Sequence, residues 1–234
     1  MDIQDKALEI IHSNVLTDSS DRLLVTLTFA QTMNGIIGGV SRTPIQLSGP
    51  ESSLFTHCLR YTHDAILIGI STLLSDSPQL TCRHLNLPAS TLNESNPIPI
   101  IIDPRLRIPA HHYILSRNPI IVCLDTISSE KCSLLISAGA RLIRCNQTTS
   151  FGTIDLKNML QQLSKYDIKS LMVEGGATVI QNFINQRMYD TLVVTLCPLM
   201  YKDGVRIEYD KSMVIDASYH QFGKDIIVIS RKLE

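Results

Sequence analysis

The 234-residue sequence lacks several features that mark specialised classes of protein. It has no tryptophan, no internal repeat and no low-complexity tract. No apolar run approaches the roughly 20 residues that a membrane-spanning helix needs. Residues 1–11 mix Asp, Lys and Glu with apolar side chains, without the basic start and apolar centre of a secretory signal. We therefore expect no membrane partner and a cytoplasmic location.

The sequence also has almost no net charge. Its 21 Lys and Arg residues oppose 22 Asp and Glu residues, for a formal charge of −1 at pH 7. Nucleic-acid-binding proteins usually carry a basic face, so this balance argues against a nucleic-acid partner. A length of 234 residues fits one large α/β domain or two small ones. No stretch has the composition of a linker, and we expect a single domain over residues 1–234.

Six cysteines are present, but no pair has the Cys-x-x-Cys spacing of common zinc and redox sites. Cys58, Cys123 and Cys197 lie within apolar runs, which predicts buried thiols. His111 and His112 are adjacent, but no third ligand lies close to them in the sequence. We expect reduced cysteines and no metal site.

Short apolar runs alternate with amphipathic segments along most of the chain. The runs that predict strands are residues 22–29, 64–70, 98–102, 120–124, 140–144, 171–173, 191–196 and 225–231. The segments that predict helices are residues 2–12, about 50–61, 128–138, 155–165 and the segment that follows Gly176. Residues 30–39 and 86–97 are predicted as loops, 71–83 as a polar connection, and 212–219 as a further segment that pairs near the last strand.

Strands that alternate with helices predict a mostly parallel sheet with helices on both faces. The last strands have no helix between them, so that end of the sheet is predicted to be antiparallel. Ligands of such sheets bind beyond the carboxyl ends of the strands. Polar clusters follow Phe29, Ile70, Ile102 and Val173, each at the end of a predicted strand. We expect these clusters to converge on one site.

Residues 168–184 predict a strand, a glycine turn and a helix in direct succession. Glu174 closes the apolar run, and Gly175 and Gly176 let the backbone turn without a Cβ penalty. A helix N-terminus attracts a phosphate, and glycines allow the backbone to approach a pyrophosphate. Adjacent glycines after a strand also occur in plain tight turns, so the motif alone leaves both interpretations open. Because a carboxylate repels phosphate, Glu174 is expected to face a ligand that donates hydrogen bonds.

Four clusters carry the candidate chemistry: Thr32–Gly35, His57–Arg60, Gly69–Arg83 and Val173–Ala177. Each has an ordinary structural interpretation when it is taken alone. Asn-Gly is common in turns, an arginine near a helix end is usually solvated, and an aspartate in a loop is often a cap.

In this order and spacing, however, the clusters resemble one family, the riboflavin-pathway reductases. The matching residues are Leu59-Arg60, Asp64–Gly69, Thr72, Asp76-Ser77-Pro78, Leu80, Arg83, Ile101–Asp103, Ile154–Leu156 and Val173–Gly176. The resemblance covers about residues 24–225 and is closest to the free-standing fungal members. The bacterial members carry a fused zinc deaminase, whose His-x-Glu and Pro-Cys-x-x-Cys motifs are absent from this sequence.

The resemblance implies a dihydrofolate-reductase-like α/β fold, a homodimer, and NADPH as the hydride donor, with NADH as a further possibility. The implied reaction is reduction of the ribosyl group of a phosphorylated ribosylaminopyrimidine to a ribityl group. The resemblance places the cofactor against Thr72, Asp76, Ile154, Gly175, Gly176, Ala177, Thr178 and Val179. It places the substrate against Asn34, Arg60, Leu80, Arg83 and Glu174.

Two departures from the family pattern stand out. The family usually has Ser-x-Asp-Gly where this chain has Thr32–Gly35, so Asn34 keeps hydrogen bonding but has no charge. Bacterial members often have a tryptophan near the position of Gln46, so a stacked ring is absent here.

A reductase of this kind needs no covalent nucleophile and no metal, because the hydride comes directly from the cofactor. No residue stands out as a proton donor, which leaves water as a source. Two other interpretations stay open: an enzyme of the dihydrofolate reductase type, against which residues 72–83 argue, and a non-catalytic module that binds NADP.

Overall fold

The computed structural model describes residues 2–16, 22–40, 45–146, 154–209 and 216–231. The helices in these ranges are α1 Ile3–Asn14, α2 Pro50–Thr62, α3 Ile70–Asp76, α4 Ala89–Glu94, α5 Ser129–Ser137, α6 Leu156–Leu163 and α7 Ala177–Asn185, with a 3-10 helix at Tyr113–Arg117. The strands are β1 Leu24–Thr32, β2 Ile36–Gly38, β3 Ala65–Gly69, β4 Ile98–Ile102, β5 Ile120–Leu124, β6 Arg141–Cys145, β7 Ser170–Gly175, β8 Thr191–Cys197, β9 Val205–Arg206, β10 Asp216–Phe222 and β11 Asp225–Arg231.

Nine of these described strands form one sheet in the order β10-β11-β8-β1-β7-β3-β4-β5-β6. From β8 to β6 every neighbouring pair is parallel, whereas β11 runs antiparallel to both β8 and β10. The predicted α/β class, with a mostly parallel sheet and antiparallel C-terminal strands, is therefore confirmed. The central position of β7 brings the predicted strand, turn and helix to the middle of the sheet.

Helices cover both faces of the sheet because each face is apolar. One buried cluster packs α1, α2 and α5 against one face through residues such as Phe55 and Ile66. The other packs α6 and α7 against the opposite face through residues such as Met159, Phe183 and Leu171. This explains why the central strands are near-continuous apolar runs, since strands buried on both faces need no polar side.

The predictions for β4, β5 and β11 are confirmed to the residue. Three loop predictions are wrong in part. The polar connection 71–83 begins with α3, whose Ile70 and Leu73 are 3% and 0% exposed against the core. Too few apolar residues lie in this one short helix for a helical period to be visible in the sequence.

The segment 30–39 is not a simple loop, because β1 continues to Thr32 and β2 follows it. β2 pairs antiparallel with β9, Ile36 lying opposite Arg206. The segment 86–97 contains α4, which has no buried residue. Of the predicted pairing segment 212–219, the residues from Asp216 onward lie in β10 and pair with β11, and 212–215 lie outside the described residues.

All six cysteines are free thiols and all are buried, which confirms the burial predicted for Cys58, Cys123 and Cys197. Burial raises the pKa of Cys58 and of Cys123 to about 12, so both are neutral at pH 7. Within the described ranges no helix is both long and apolar enough to cross a membrane.

His63 joins α2 to β1 in the core and is 3% exposed. Its Nδ1 lies 2.7 Å from the Leu59 carbonyl oxygen, which can only accept, so Nδ1 carries the proton. Nε2 therefore accepts from the Thr26 hydroxyl at 2.8 Å. The neutral ring has both nitrogens satisfied, and burial lowers the pKa of His63 to about 4.

The pKa of His63 predicts that the protein loses stability in mild acid. The unfolded histidine binds a proton near its ordinary pKa of 6.5, whereas the folded one binds a proton only near 4. The contribution of neutral His63 to the free energy of unfolding is thus complete above pH 6.5 and is lost as the pH falls toward 4. Between pH 7 and pH 5 this loss is about 2 kcal/mol. Urea unfolding measures this loss. Between pH 7 and pH 5 the free energy of unfolding of His63→Gln should fall by less than that of the wild type.

The exposed His111 supplies the matched control, since His111→Gln should keep the pH dependence of the wild type. Equal pH dependence in His63→Gln and the wild type would contradict the assignment.

Candidate active site

A cavity of about 920 Å³ opens at the carboxyl edge of the sheet. Ala30, Gly69, Ile102 and Glu174 bring the ends of β1, β3, β4 and β7 to its wall. Side chains of α2 form another part of the wall, together with the N-terminus of α7. The volume is at the upper end of the range for ligand cavities, so it has room for two small molecules side by side.

Glu174 reaches the cavity through a bulge in the pairing of β7 with β3. Leu67 lies opposite Val173, but the next residue, Ile68, lies opposite Gly175. Glu174 is therefore the extra residue, and bulges of this kind redirect a side chain at a sheet edge. The sequence predicted that this carboxylate marks a site, but it contained no sign of the bulge.

Both oxygens of the Glu174 carboxylate accept hydrogen bonds from Arg60 on α2. The Arg60 Nε lies 3.0 Å from Oε2, and the Nη2 group binds Oε1. A third donor, Nη1, lies 3.1 Å from the Thr81 carbonyl oxygen. The two side chains expose 12% and 22% of their surface, so the pair is partly screened from water. The two residues that were predicted separately as substrate ligands thus form one ion-paired wall.

The glycine turn after Glu174 has the geometry that only glycine adopts easily. Gly176 has a φ of +81°, and a Cβ placed on it would lie 2.7 Å from the Thr72 hydroxyl oxygen. Gly69 is equally confined, since its Cβ would lie 2.9 Å from a methyl group of Val179. The glycine backbones at the ends of β7 and β3 therefore pack directly against the side chains of Thr72 on α3 and Val179 on α7, which a Cβ at either position would prevent.

α7 starts at this turn, where the Val179 N–H donates to the Gly176 carbonyl oxygen at 2.9 Å and the N–H groups of Ala177 and Thr178 have no partner among the described residues. In the described part of the chain no side chain caps the helix at Gly176. The first N–H groups of a helix have no partner within it, and together with the helix dipole they attract an anion. Ala177, Thr178 and Val179 all line the cavity here. The arrangement fits a pyrophosphate group, as the sequence predicted for the strand, turn and helix.

The loop from Pro78 to Arg83 forms another part of the wall. Leu80 is 1% exposed and has a φ of +54°, so the loop is tightly held around it. The Arg83 backbone N–H donates to His57 Nδ1 at 3.0 Å. The exposed Arg83 side chain donates to the Gln79 side-chain oxygen at 2.5 Å. Arg83 therefore presents its positive charge at the cavity without a carboxylate on it.

His57 is a site residue that the sequence interpretation did not select. It lines the cavity from α2, is 5% exposed, and lies beside the His84 ring. Burial lowers the pKa of His57 to about 4, and the charges of Arg60 and Arg83 act in the same direction. Because Nδ1 accepts the Arg83 N–H, the proton of the neutral ring is on Nε2.

A signal for His57 was present in the sequence. Ser53, Thr56, His57 and Arg60 all line the cavity from one side of α2. Their spacing is i, i+3, i+4, i+7, which is the spacing of one helix face. A polar stripe at that spacing on an otherwise core-facing helix predicts a wall of a polar site.

The structure brings together twelve of the thirteen residues predicted for the site. Those that line the cavity are Arg60, Thr72, Asp76, Leu80, Arg83, Ile154, Glu174, Gly175, Gly176, Ala177, Thr178 and Val179. Asn34 is the exception. Its amide nitrogen donates to the Tyr201 carbonyl oxygen at 2.6 Å, and its side-chain oxygen accepts from Thr32 at 2.7 Å. Asn34 thus ties two loops together outside the cavity, and we leave it out of the site.

The histidine pair at 111–112 has a structural role at one of its members. His112 Nδ1 accepts the Ile114 backbone N–H at 3.3 Å, at the start of the 3-10 helix. Across the described ranges no group of three or more His, Cys, Asp or Glu side chains is placed to hold a metal ion.

A glycine turn and an uncapped helix start at the edge of a parallel sheet, beside a large cavity, are features that this chain shares with nucleotide-binding α/β proteins. The chain belongs to the RibD C-terminal domain family, whose family model matches residues 24–227.

Two relatives illustrate the range of the similarity. The chain is 30% identical to the 2,5-diamino-6-ribosylamino-4(3H)-pyrimidinone 5′-phosphate reductase of Debaryomyces hansenii, over 91% of this chain and 90% of that one. It is 28% identical to the riboflavin biosynthesis protein RibD of Aquifex aeolicus over 87% of this chain, but it covers only 54% of that protein.

The fold has a close counterpart among solved structures. The riboflavin biosynthesis reductase Rib7 of Saccharomyces cerevisiae superposes with a TM-score of 0.75 at 23% identity, over 97% of this chain and 99% of that one. The fold that the family resemblance implied is thereby confirmed.

The turn geometry predicts that Gly176→Asp weakens the binding of NADPH at least tenfold, about 1.4 kcal/mol. The substitution places a strained side chain against Thr72 and a negative charge at the helix N-terminus. Fluorescence titration of NADPH measures the effect, with circular dichroism to verify the fold.

Gly35 provides the matched control, since it has the same φ of +81° but lies outside the cavity. Gly35→Asp should leave NADPH affinity within about twofold of the wild type. An unchanged affinity in Gly176→Asp would remove the pyrophosphate from this turn.

Proposed function

We propose that this chain reduces the ribosyl group of 2,5-diamino-6-ribosylamino-4(3H)-pyrimidinone 5′-phosphate to a ribityl group with NADPH, in riboflavin biosynthesis. The observation that carries the proposal is one cavity that joins the glycine turn of α7 to the wall formed by Arg60 and Glu174. Membership of the RibD C-terminal domain family and the named fungal relatives support the same reaction.

The residues around the turn fit a dinucleotide. Gly175, Gly176 and the first turn of α7 would hold its pyrophosphate through backbone N–H groups, with Thr72 close beside them. Ile154, 3% exposed, offers apolar surface to the cavity. The cofactor supplies the hydride when it is bound. The chain orients the two reactants and excludes water around them.

The remaining wall suits the pyrimidine and its phosphate. The substrate presents N–H groups on its ring, and a carboxylate is the strongest acceptor for such donors. Glu174 keeps lone pairs free beyond those used by Arg60, and the ion pair holds its position. Leu80 offers apolar surface for the ring, and Arg83 offers a guanidinium for the phosphate.

The reduction also consumes a proton. His57 is the imidazole that lines the cavity among the described residues, but with a pKa of about 4 it is neutral at pH 7. A neutral imidazole donates a hydrogen bond from Nε2 and is a poor acid. We assign the proton to water and a positioning role to His57, which holds the Arg83 backbone.

NADPH oxidation in the presence of the pyrimidine substrate tests the function. We expect substrate-dependent loss of absorbance at 340 nm, and a product two mass units heavier than the substrate. NADPH binding without turnover would indicate a non-catalytic module, and turnover with dihydrofolate in its place would indicate an enzyme of the dihydrofolate reductase type.

The assignment of Arg83 to the substrate phosphate is tested by two changes, made separately and together. Arg83→Ala and removal of the phosphate from the substrate should each lower kcat/KM at least tenfold, because each abolishes the same charged contact. Made together they should add little to the larger single effect.

Arg141, an exposed arginine on β6, is the control for this cycle, and Arg141→Ala should leave kcat/KM unchanged. Fully additive effects of the two changes would move the phosphate away from Arg83.

The homodimer that the resemblance implies also stays a prediction, for which light scattering should give about twice the chain mass of 26.1 kDa.

A further inference from the structure

The loop of residues 78–83 forms part of the cavity wall without the support of a helix or a strand. Among the described residues, its backbone N–H and C=O groups bond only to side chains, which belong to His57, Arg60, Asn96, Tyr113 and Arg117. Leu80 in this loop has a φ of +54°. A residue other than glycine keeps a positive φ only where its surroundings hold it. The surrounding side chains therefore set the shape of this part of the wall.

Arg117 makes more of these bonds than any other side chain in the described residues. It is the last residue of the 3-10 helix and does not line the cavity. Its Nη1 lies 2.5 Å from the Gln79 carbonyl oxygen and 3.0 Å from that of Leu80. Its Nη2 donates to the carbonyl oxygen of Pro97, just before β4, at 2.9 Å. The guanidinium thus joins the loop to the beginning of β4.

The charge of Arg117 faces carbonyl oxygens and not a carboxylate. The side chain is half-buried, and no carboxylate of the described residues lies within ion-pair distance of it. Burial lowers the pKa of Arg117, and the charge of Arg60 acts in the same direction. A cation away from water is costly unless hydrogen bonds satisfy it. The loop and Arg117 therefore stabilise each other.

Two arginines hold this loop from opposite sides. Arg117 binds the carbonyl oxygens of Gln79 and Leu80 from outside the cavity. Arg60 lines the cavity and binds the next carbonyl oxygen, that of Thr81, at 3.1 Å. The backbone direction at these carbonyl groups determines where the side chains of the loop point. Without the outer contact, the loop would lose the bonds that hold it at Leu80.

On these grounds we propose that Arg117 is a positioning residue for substrate binding, which fixes the loop so that Leu80 and Arg83 meet the phosphorylated pyrimidine. The inference rests on the proposed function for the identity of the substrate. The hydrogen bonds of Arg117 reach this loop and Pro97, and none of them reaches the glycine turn or α7. Arg117 should therefore affect the binding of the pyrimidine more than that of NADPH.

The test variant is Arg117→Ala. Arg117→Lys is the conservative variant, because an ammonium group keeps the charge but lacks the planar fork that spans these oxygens. Arg141→Ala is the matched control. Arg141 also donates to a carbonyl oxygen, that of Asn118 at 3.4 Å, but it lies on β6 and contacts neither the loop nor the cavity.

Steady-state kinetics separate substrate binding from the chemical step. A contact that serves the substrate equally before and during the reaction changes KM and leaves kcat. Arg117→Ala should therefore raise KM for the pyrimidine at least tenfold, with kcat and the KM for NADPH within about threefold of the wild type. Arg117→Lys should lie between the two, and Arg141→Ala should match the wild type. An unchanged KM for the pyrimidine, or equal losses for pyrimidine and NADPH, overturns the inference.

Hydrogen exchange follows the loop without turnover. The amides of Cys82 and Arg83 donate to Asn96 and His57, so their exchange reports opening of the loop. In Arg117→Ala they should exchange at least tenfold faster, and amides of α7 should keep the wild-type rate. Unchanged exchange in the loop, or equally faster exchange in α7, overturns the inference.

The two measurements keep the inference separate from the proposed function. If Arg117→Ala does not fold, Arg117→Lys takes its place, with loop exchange and pyrimidine KM each expected to rise about threefold. If the wild type reduces no pyrimidine, the proposed function fails, whereas hydrogen exchange still decides whether Arg117 holds the loop.

Discussion

The central strand β7 pairs with β1 on one side and β3 on the other, and its pairing with β3 is interrupted by one extra residue at its carboxyl end. That bulge directs Glu174 toward α2, and the two glycines that follow turn the chain into α7. Because Gly176 adopts a positive φ directly against Thr72, no larger residue keeps the turn, α3 and α7 in this contact. The shape of the cavity depends on this single strand end.

The charges of the cavity are arranged around that geometry. Arg60 and Glu174 lie in different layers of the fold, on α2 and β7, and their ion pair closes the space between them. Removal of one partner would leave a partly buried charge without compensation, which is costly, so the pair acts as a structural wall as well as a binding surface. Arg83 keeps its charge accessible, at another place on the wall.

Much of the fold could be predicted from the sequence, because the buried strands are apolar runs with clear ends. β4, β5 and β11 are such runs and were located to the residue. The short elements were missed. α3 has few buried side chains, and β2 is a strand only because β9, about 170 residues later, pairs with it. Such elements depend on distant partners, which local periodicity does not record.

The sequence by itself determined the strand, glycine turn and helix at residues 170–185, since apolar runs, glycine and helical spacing act locally. Twelve of the thirteen residues that the family resemblance predicted for the site line the cavity. Only the tertiary structure decided that Arg60 meets Glu174 across 114 residues, that Asn34 binds Tyr201 outside the cavity, and that Arg117 binds the backbone of residues 79–80. These contacts follow from which strands are neighbours and where a register shifts, and both are properties of the assembled sheet.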